Sequence, residues 1–125
     1  MDARNVILVV NDPDRNIVRL TFVGDIGVDE TQRHEKMIAE TLAAAPRGFH
    51  LLTDLSKLNS MDLRCVPYIA KTMEAARSRG ITRVVRIIPD PDKDIGFNIM
   101  SLFHLPRGLQ IITCENEAEA DRALK

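Results

Sequence analysis

The chain is short of the residue types that announce most chemistries. Its 125 residues include no Trp, one Tyr and four Phe, so no row of rings exists on which nucleobases could stack. Lys and Arg number 17 and Asp and Glu 18, a formal net charge of −1, and the two signs are interspersed. Without a basic stripe to track a phosphate backbone, nucleic acid is not an expected partner. Cysteine is confined to Cys65 and Cys114, far apart in sequence, which excludes a secreted disulfide scaffold and points to a reduced, cytoplasmic setting. No apolar run approaches the about 18 residues that a membrane span needs. The run inside "MDARNVILVV" is too short for the apolar core of a signal peptide.

Several catalytic or metal signatures are also missing at the position that matters. In "HEKMI", Ile38 stands where a zinc helix needs its second histidine. His34, His50 and His104 share no metal-ligand spacing with each other or with the cysteines. "GDIG" is too short for a phosphate loop and lacks the Lys-Ser/Thr ending, and no G-x-S-x-G elbow exists. "PDPDKDIG" alternates Asp90, Asp92 and Asp94 like a calcium loop. However, Ile95 occupies the turn-glycine position, Ser101 the bidentate-glutamate position, and Pro91 restricts the loop. It reads instead as a solvated acidic helix start. No metal and no cofactor are expected.

What is present is an ordinary globular balance of 45% apolar and 28% charged residues. A chain of this length buries roughly two-thirds of its unfolded surface, so residues 1–125 read as one domain. Residues 6–10 are a β-branched run, hence a buried strand. "NDPDRN" is a turn. Residues 17–23 alternate, with Val18, Leu20 and Phe22 on one side and Arg19 and Thr21 on the other. From Asp29 the spacing turns helical, with Met37, Ile38, Leu42 and Ala45 in one stripe, until Pro46 and Gly48. Residues 49–55 form a third strand. A second helix begins between Arg64 and Val66, where Pro67 fits the first turn, and ends at Gly80. Strands over 81–88 and 109–113, a short helix over 95–105 and a last helix over 116–124, capped by Asn116, complete the chain.

The order β-β-α-β-α-β-α-β-α implies a mixed five-stranded sheet with an antiparallel opening hairpin and parallel neighbours thereafter. Polar residues recur within the strands: Arg19, Thr21, His50 or Thr53, Arg83 or Arg86, and Gln110. A sheet covered on both faces rarely carries so many. The four helices are therefore expected mainly on one face, with the other at least partly open to solvent or a partner.

The stretch "DLSKLNSMDLRC" sits between the third strand and the second helix. Asp54 and Asp62 frame it. They could act as an acid–base or Mg²⁺ pair, or Asp54 could satisfy loop amides while Asp62 caps the helix. Cys65 near a helix start, beside Arg64, could be a reactive thiol or a small buried hydrophobe. The pattern "DLS", five residues, "D", then a helix resembles the STAS domain of sulfate transporters and bacterial anti-sigma-factor antagonists, whose centre is similar to "DLSxxxxxDSSGL". The ending "LPRGLQIITCENEAEADRAL" also resembles that family's, and the element order fits nearly the whole chain. The resemblance implies a superhelix of βα turns and a non-enzymatic, protein-binding role. In the antagonists, a kinase phosphorylates the serine after the second aspartate. Here that position is Leu63, the next serine is Arg64 and the glycine is Cys65, so the phosphoswitch is lost.

"IGFNIMSLFHLP" carries apolar residues on nearly all sides of a helical wheel. It reads either as a deeply packed helix or as an exposed patch, centred on Phe97, Met100 and Phe103, that docks a second copy, a partner or an apolar ligand. Three functions therefore compete. A regulatory module would bind a protein partner through Ser56, Asn59, Ser60, Asp62, Leu63, Arg64 and Cys65, and could form a homodimer. A binder of a small apolar ligand or lipid would need a closed cavity of several hundred Å³ beneath residues 95–105. An enzyme, the reading ranked last, would bring two of Asp54, Asp62 and Cys65 together in a cleft.

Overall fold

The computed structural model describes residues 5–81, 83–88 and 110–124. β1 (Val6–Asp12), β2 (Ile17–Ile26), α1 (Val28–Ala44), β3 (His50–Met61), a 3-10 turn (Leu63–Cys65), α2 (Val66–Ser78), β4 (Arg83–Ile87), β5 (Gln110–Cys114) and α3 (Glu117–Ala123) follow in order. The expected helix over 95–105, the acidic "PDPDKDIG" stretch and the apolar candidates Phe97, Met100 and Phe103 lie outside the described residues.

The strands form one sheet in the order β1-β2-β3-β4-β5. β1 pairs antiparallel with β2, and every later pair is parallel. The hairpin turns on Asn16, whose φ of 57° lies in the left-handed region that asparagine tolerates. Val18, Leu20 and Phe22 pack with Ile38, Leu42, Leu51, Met73 and Val84 under α1 and α2. A smaller cluster on the opposite face joins Ile17, Leu52, Val85, Ile87 and Cys114 to Ala120 of α3. Among the described residues, two α-helices therefore cover one face, and α3 covers the β4–β5 end of the other.

Three local features differ from the sequence reading. Met37 is exposed, because the buried stripe of α1 runs through Thr31, Ile38, Leu42 and Ala45, one helical step away. The polar strand residues do not all map to the open face. Thr53 and Arg86 are buried in register with one another, on the side of α1 and α2, and Arg86 Nη2 donates to Thr113 Oγ1 at 3.2 Å. Finally, β2 and β3 run on to Ile26 and Met61, past the end of β4, where two register shifts let them continue together.

α2 closes on a Schellman motif, in which Gly80 N–H donates to Arg77 C=O at 2.9 Å and Ile81 N–H to Ala76 C=O at 3.3 Å. Gly80 supplies the φ of 83° that this closure requires.

Candidate functional site

Asp54 of "DLS" lies on the sheet face that α3 covers, while Leu55 packs into the core under α1 and α2. Asp54 is 5% exposed. Its Oδ1 accepts the Ser56 amide at 2.9 Å and the Ser56 hydroxyl at 2.6 Å, and its Oδ2 accepts Arg19 Nη2 at 2.7 Å. Arg19 also pairs with Glu117 in the first turn of α3. Burial works to raise the Asp54 carboxyl, but the Ser56 donors and the Arg19 guanidinium outweigh it and hold the group below the ordinary carboxylate range. Asp54 is thus a buried structural junction between β2, β3 and α3.

Asp62 stands at the far end of β3. Eight residues of strand at about 3.3 Å each, shortened by the register shifts, place it on the order of 20 Å from Asp54. The two aspartates therefore form no catalytic pair. Asp62 caps the 3-10 turn. Its Oδ1 accepts the Arg64 amide at 2.9 Å, and its two oxygens accept Arg64 Nε at 3.1 Å and Nη2 at 2.6 Å. The Arg64 side chain, followed by its amide, pushes the Asp62 carboxyl down to about 2. Backbone bonds fix the turn from both sides, Asp62 N–H to Ile26 C=O and Cys65 N–H to Asp62 C=O, each 2.9 Å.

Of the remaining candidates, Ser56, Asn59 and Ser60 belong to the β3 extension and not to a loop. Asn59 Nδ2 and Ser60 Oγ both donate to Asp25 Oδ1 at 2.6 Å, tying β3 to β2 and holding the Asp25 carboxyl low, Ser60 contributing most. Cys65 is fully buried. Its thiol donates to Ile26 C=O at 3.8 Å, burial pushes its pKa up, and with no exposed surface it is not part of a docking surface. Leu63 is the opposite, 64% exposed at the crest of the turn, with the Arg64 side chain beside it in water. A depression lined by Gly27, Asp29, Glu30, Asp62, Arg64 and Tyr68 opens next to it. Asp25 and the Arg19–Glu117 link escaped the sequence reading, because their partners sit 35 and 98 positions away.

An apolar pocket between α1 and α2, lined by Ile7, Leu20, Phe22, Ile38, Ile69 and Met73, holds ≈ 20 Å³, space for about one water and not for a lipid. The place expected for a larger cavity, beneath residues 95–105, lies outside the described residues. Among the described residues no three His, Cys, Asp or Glu gather as a metal site, and no helix is long and apolar enough to cross a membrane.

No protein-family model matches the chain, and no curated protein matches it in sequence. Solved structures do match in shape. An uncharacterised Shewanella loihica protein with a SpoIIAA-like fold superposes with a TM-score of 0.68 at 16% identity, over 95% of this chain and 92% of that one. The anti-sigma factor antagonist SpoIIAA in its unphosphorylated form matches at 0.64 and 16%, over 94% and 96%. An anti-sigma factor antagonist from Mycobacterium paratuberculosis matches at 0.64 and 18%, over 99% and 98%. The chain therefore has the STAS-like, SpoIIAA-like α/β fold.

Proposed function

We propose that this chain is a non-enzymatic regulatory module that binds a protein partner through the crest of its 3-10 turn and is not switched by phosphate at that crest. The observation that carries the reading is Leu63. It is 64% exposed and stands where the antagonists it resembles bear their phosphoacceptor. A leucine held out on a turn fixed by the Asp62–Arg64 pair suits insertion into an apolar pocket of a partner, the geometry of an interface anchor. The hydroxyls of the preceding strand already donate to carboxylates, Ser60 to Asp25 and, farther along, Ser56 to Asp54, so a phosphate on either would meet a like charge. The docking surface is then permanently competent, and control rests on the amount of partner or of this chain. The buried, free thiols Cys65 and Cys114 suit action in the reducing cytoplasm.

The test is a photo-crosslinking residue placed at Leu63 in cells, with a control at the exposed Met37 of α1. The expected result is one discrete protein adduct from position 63 and none from 37. Leu63→Glu should weaken binding of that partner at least about tenfold, as loss of an anchor does. No adduct at 63, or equal adducts at both positions, would refute the assignment.

A further inference from the structure

β1 forms one edge of the sheet. It pairs with β2 on one side, and among the described residues no strand lies on its other side. Half of its backbone N–H and C=O groups therefore face outward as an open ladder. Edge strands of proteins that stay monomeric are usually blunted by lysine, proline, an inward charge or a bulge. The β1 sequence VILVVND contains neither lysine nor proline, its only charge is the terminal Asp12, and its register with β2 runs unbroken through all seven residues. Two of its side chains, Leu8 at 43% and Val10 at 54%, are exposed on the sheet face opposite α1 and α2. There they stand in register with Thr21 and Arg19 of β2.

We propose that the occupant of this edge is a second copy of the chain, paired antiparallel to it about a two-fold axis through Val9. A two-fold axis perpendicular to the sheet keeps each face on its own side, so the residues placed opposite must have numbers of equal parity. With Val9 opposite Val9, the whole of β1 is paired and Leu8 of each copy falls opposite Val10 of the other. Both exposed apolar side chains then gain an apolar cross-strand neighbour, twice over by symmetry. A slide of two residues in either direction shortens the ladder at both ends, and in one direction it sets Leu8 against Asp12. In the centred register the two Asp12 carboxylates sit at opposite ends of the seam. Arg19, beside Val10, brings no unpaired charge to it, because Asp54 and Glu117 already hold its guanidinium. The pairing consumes both open β1 edges, so it closes at a dimer with one continuous sheet.

Sedimentation equilibrium of the full chain, from low micromolar to submillimolar concentration, should show a reversible dimer. Because Leu8 and Val10 face water, Leu8→Lys with Val10→Lys should raise its dissociation constant at least about tenfold and leave the circular dichroism of the fold unchanged. Register is read separately by cysteine pairing. Leu8→Cys chains mixed with Val10→Cys chains should give a disulfide-linked heterodimer. Either variant alone should give none, because its cysteines would lie on a diagonal of about 7–8 Å, outside disulfide reach. Cys65 and Cys114 are buried and do not compete. A monomer at every concentration, a dimer that survives both lysines, disulfide-linked homodimers of either single variant, or open-ended polymers would each overturn the proposal.

Discussion

Asp54 makes a general point about single residues. Its motif suggests a working carboxylate, yet it is only 5% exposed, and Ser56 and Arg19 donate three hydrogen bonds to it. Its worth is structural, and Asp54→Ala tests this. Removing the acceptor strands the Ser56 amide and hydroxyl and the Arg19 guanidinium, so the expected loss is about 1–3 kcal/mol of unfolding free energy in urea titration. Asp54→Asn, which keeps acceptor oxygen in place, should lose less. Equal losses from both would mean that packing and not hydrogen bonding is at stake. The "DLS" spelling made Asp54 visible in the sequence, and the following Ser56 was visible with it. Arg19 was legible only as a polar residue in a strand, since nothing local says that position 19 meets position 54.

At the scale of elements, α3 is the least secured. It has seven residues, too few to be stable alone, and its main buried side chain is Ala120. It is held as well by Arg19–Glu117 and Arg15–Asp121, ion pairs whose side chains are partly in water. Such pairs are screened by salt, whose Debye length falls from about 10 Å at 0.1 M to about 3 Å at 1 M. Cys114, 4% exposed in the cluster beneath α3, reports on its opening. Raising salt to 1 M, or substituting Glu117→Gln, should speed thiol labelling of Cys114 while leaving Cys65 as slow as before, read by peptide mass spectrometry. Parallel acceleration at both cysteines would indicate global unfolding and not the release of α3. The helix itself was readable from Asn116, whose Oδ1 does accept the Glu119 amide at 2.9 Å. Which face it covers was not readable, because that depends on where β5 places the chain end.

For the whole molecule, the shifted titrations combine into one pH profile. His50, lowered by burial and then by Arg83, and Asp54 and Asp62, both lowered, each bind protons more readily in the unfolded chain. Each therefore adds stability above its unfolded pKa that is lost as pH falls, His50 from about 6.5 and the aspartates from about 3.9. Asp62 completes its loss near pH 2. Cys65 and Cys114 are raised by burial, so their contribution is whole below the unfolded thiol value of about 8.5 and lost as pH rises above it. The unfolding midpoint should then be flat between about pH 7 and 8 and fall on both sides. In His50→Gln the first acid step should disappear; its persistence would place that step in another group.

The sequence by itself determined the alternation of strands and helices, the antiparallel opening hairpin, the cap on the last helix and the absence of a phosphoacceptor at position 63. These rest on local causes: side-chain periodicity, turn chemistry and the identity of one residue. Only the tertiary structure decided that Asp54 and Asp62 stand apart, that Cys65 is sealed while Leu63 is exposed, that Met37 leaves the core stripe, and that β1 stands last in the order of the described strands with Leu8 and Val10 in water. Each of those depends on register and on which strand lies beside which. Both are set by contacts between residues tens of positions apart, and no local pattern in the chain encodes them.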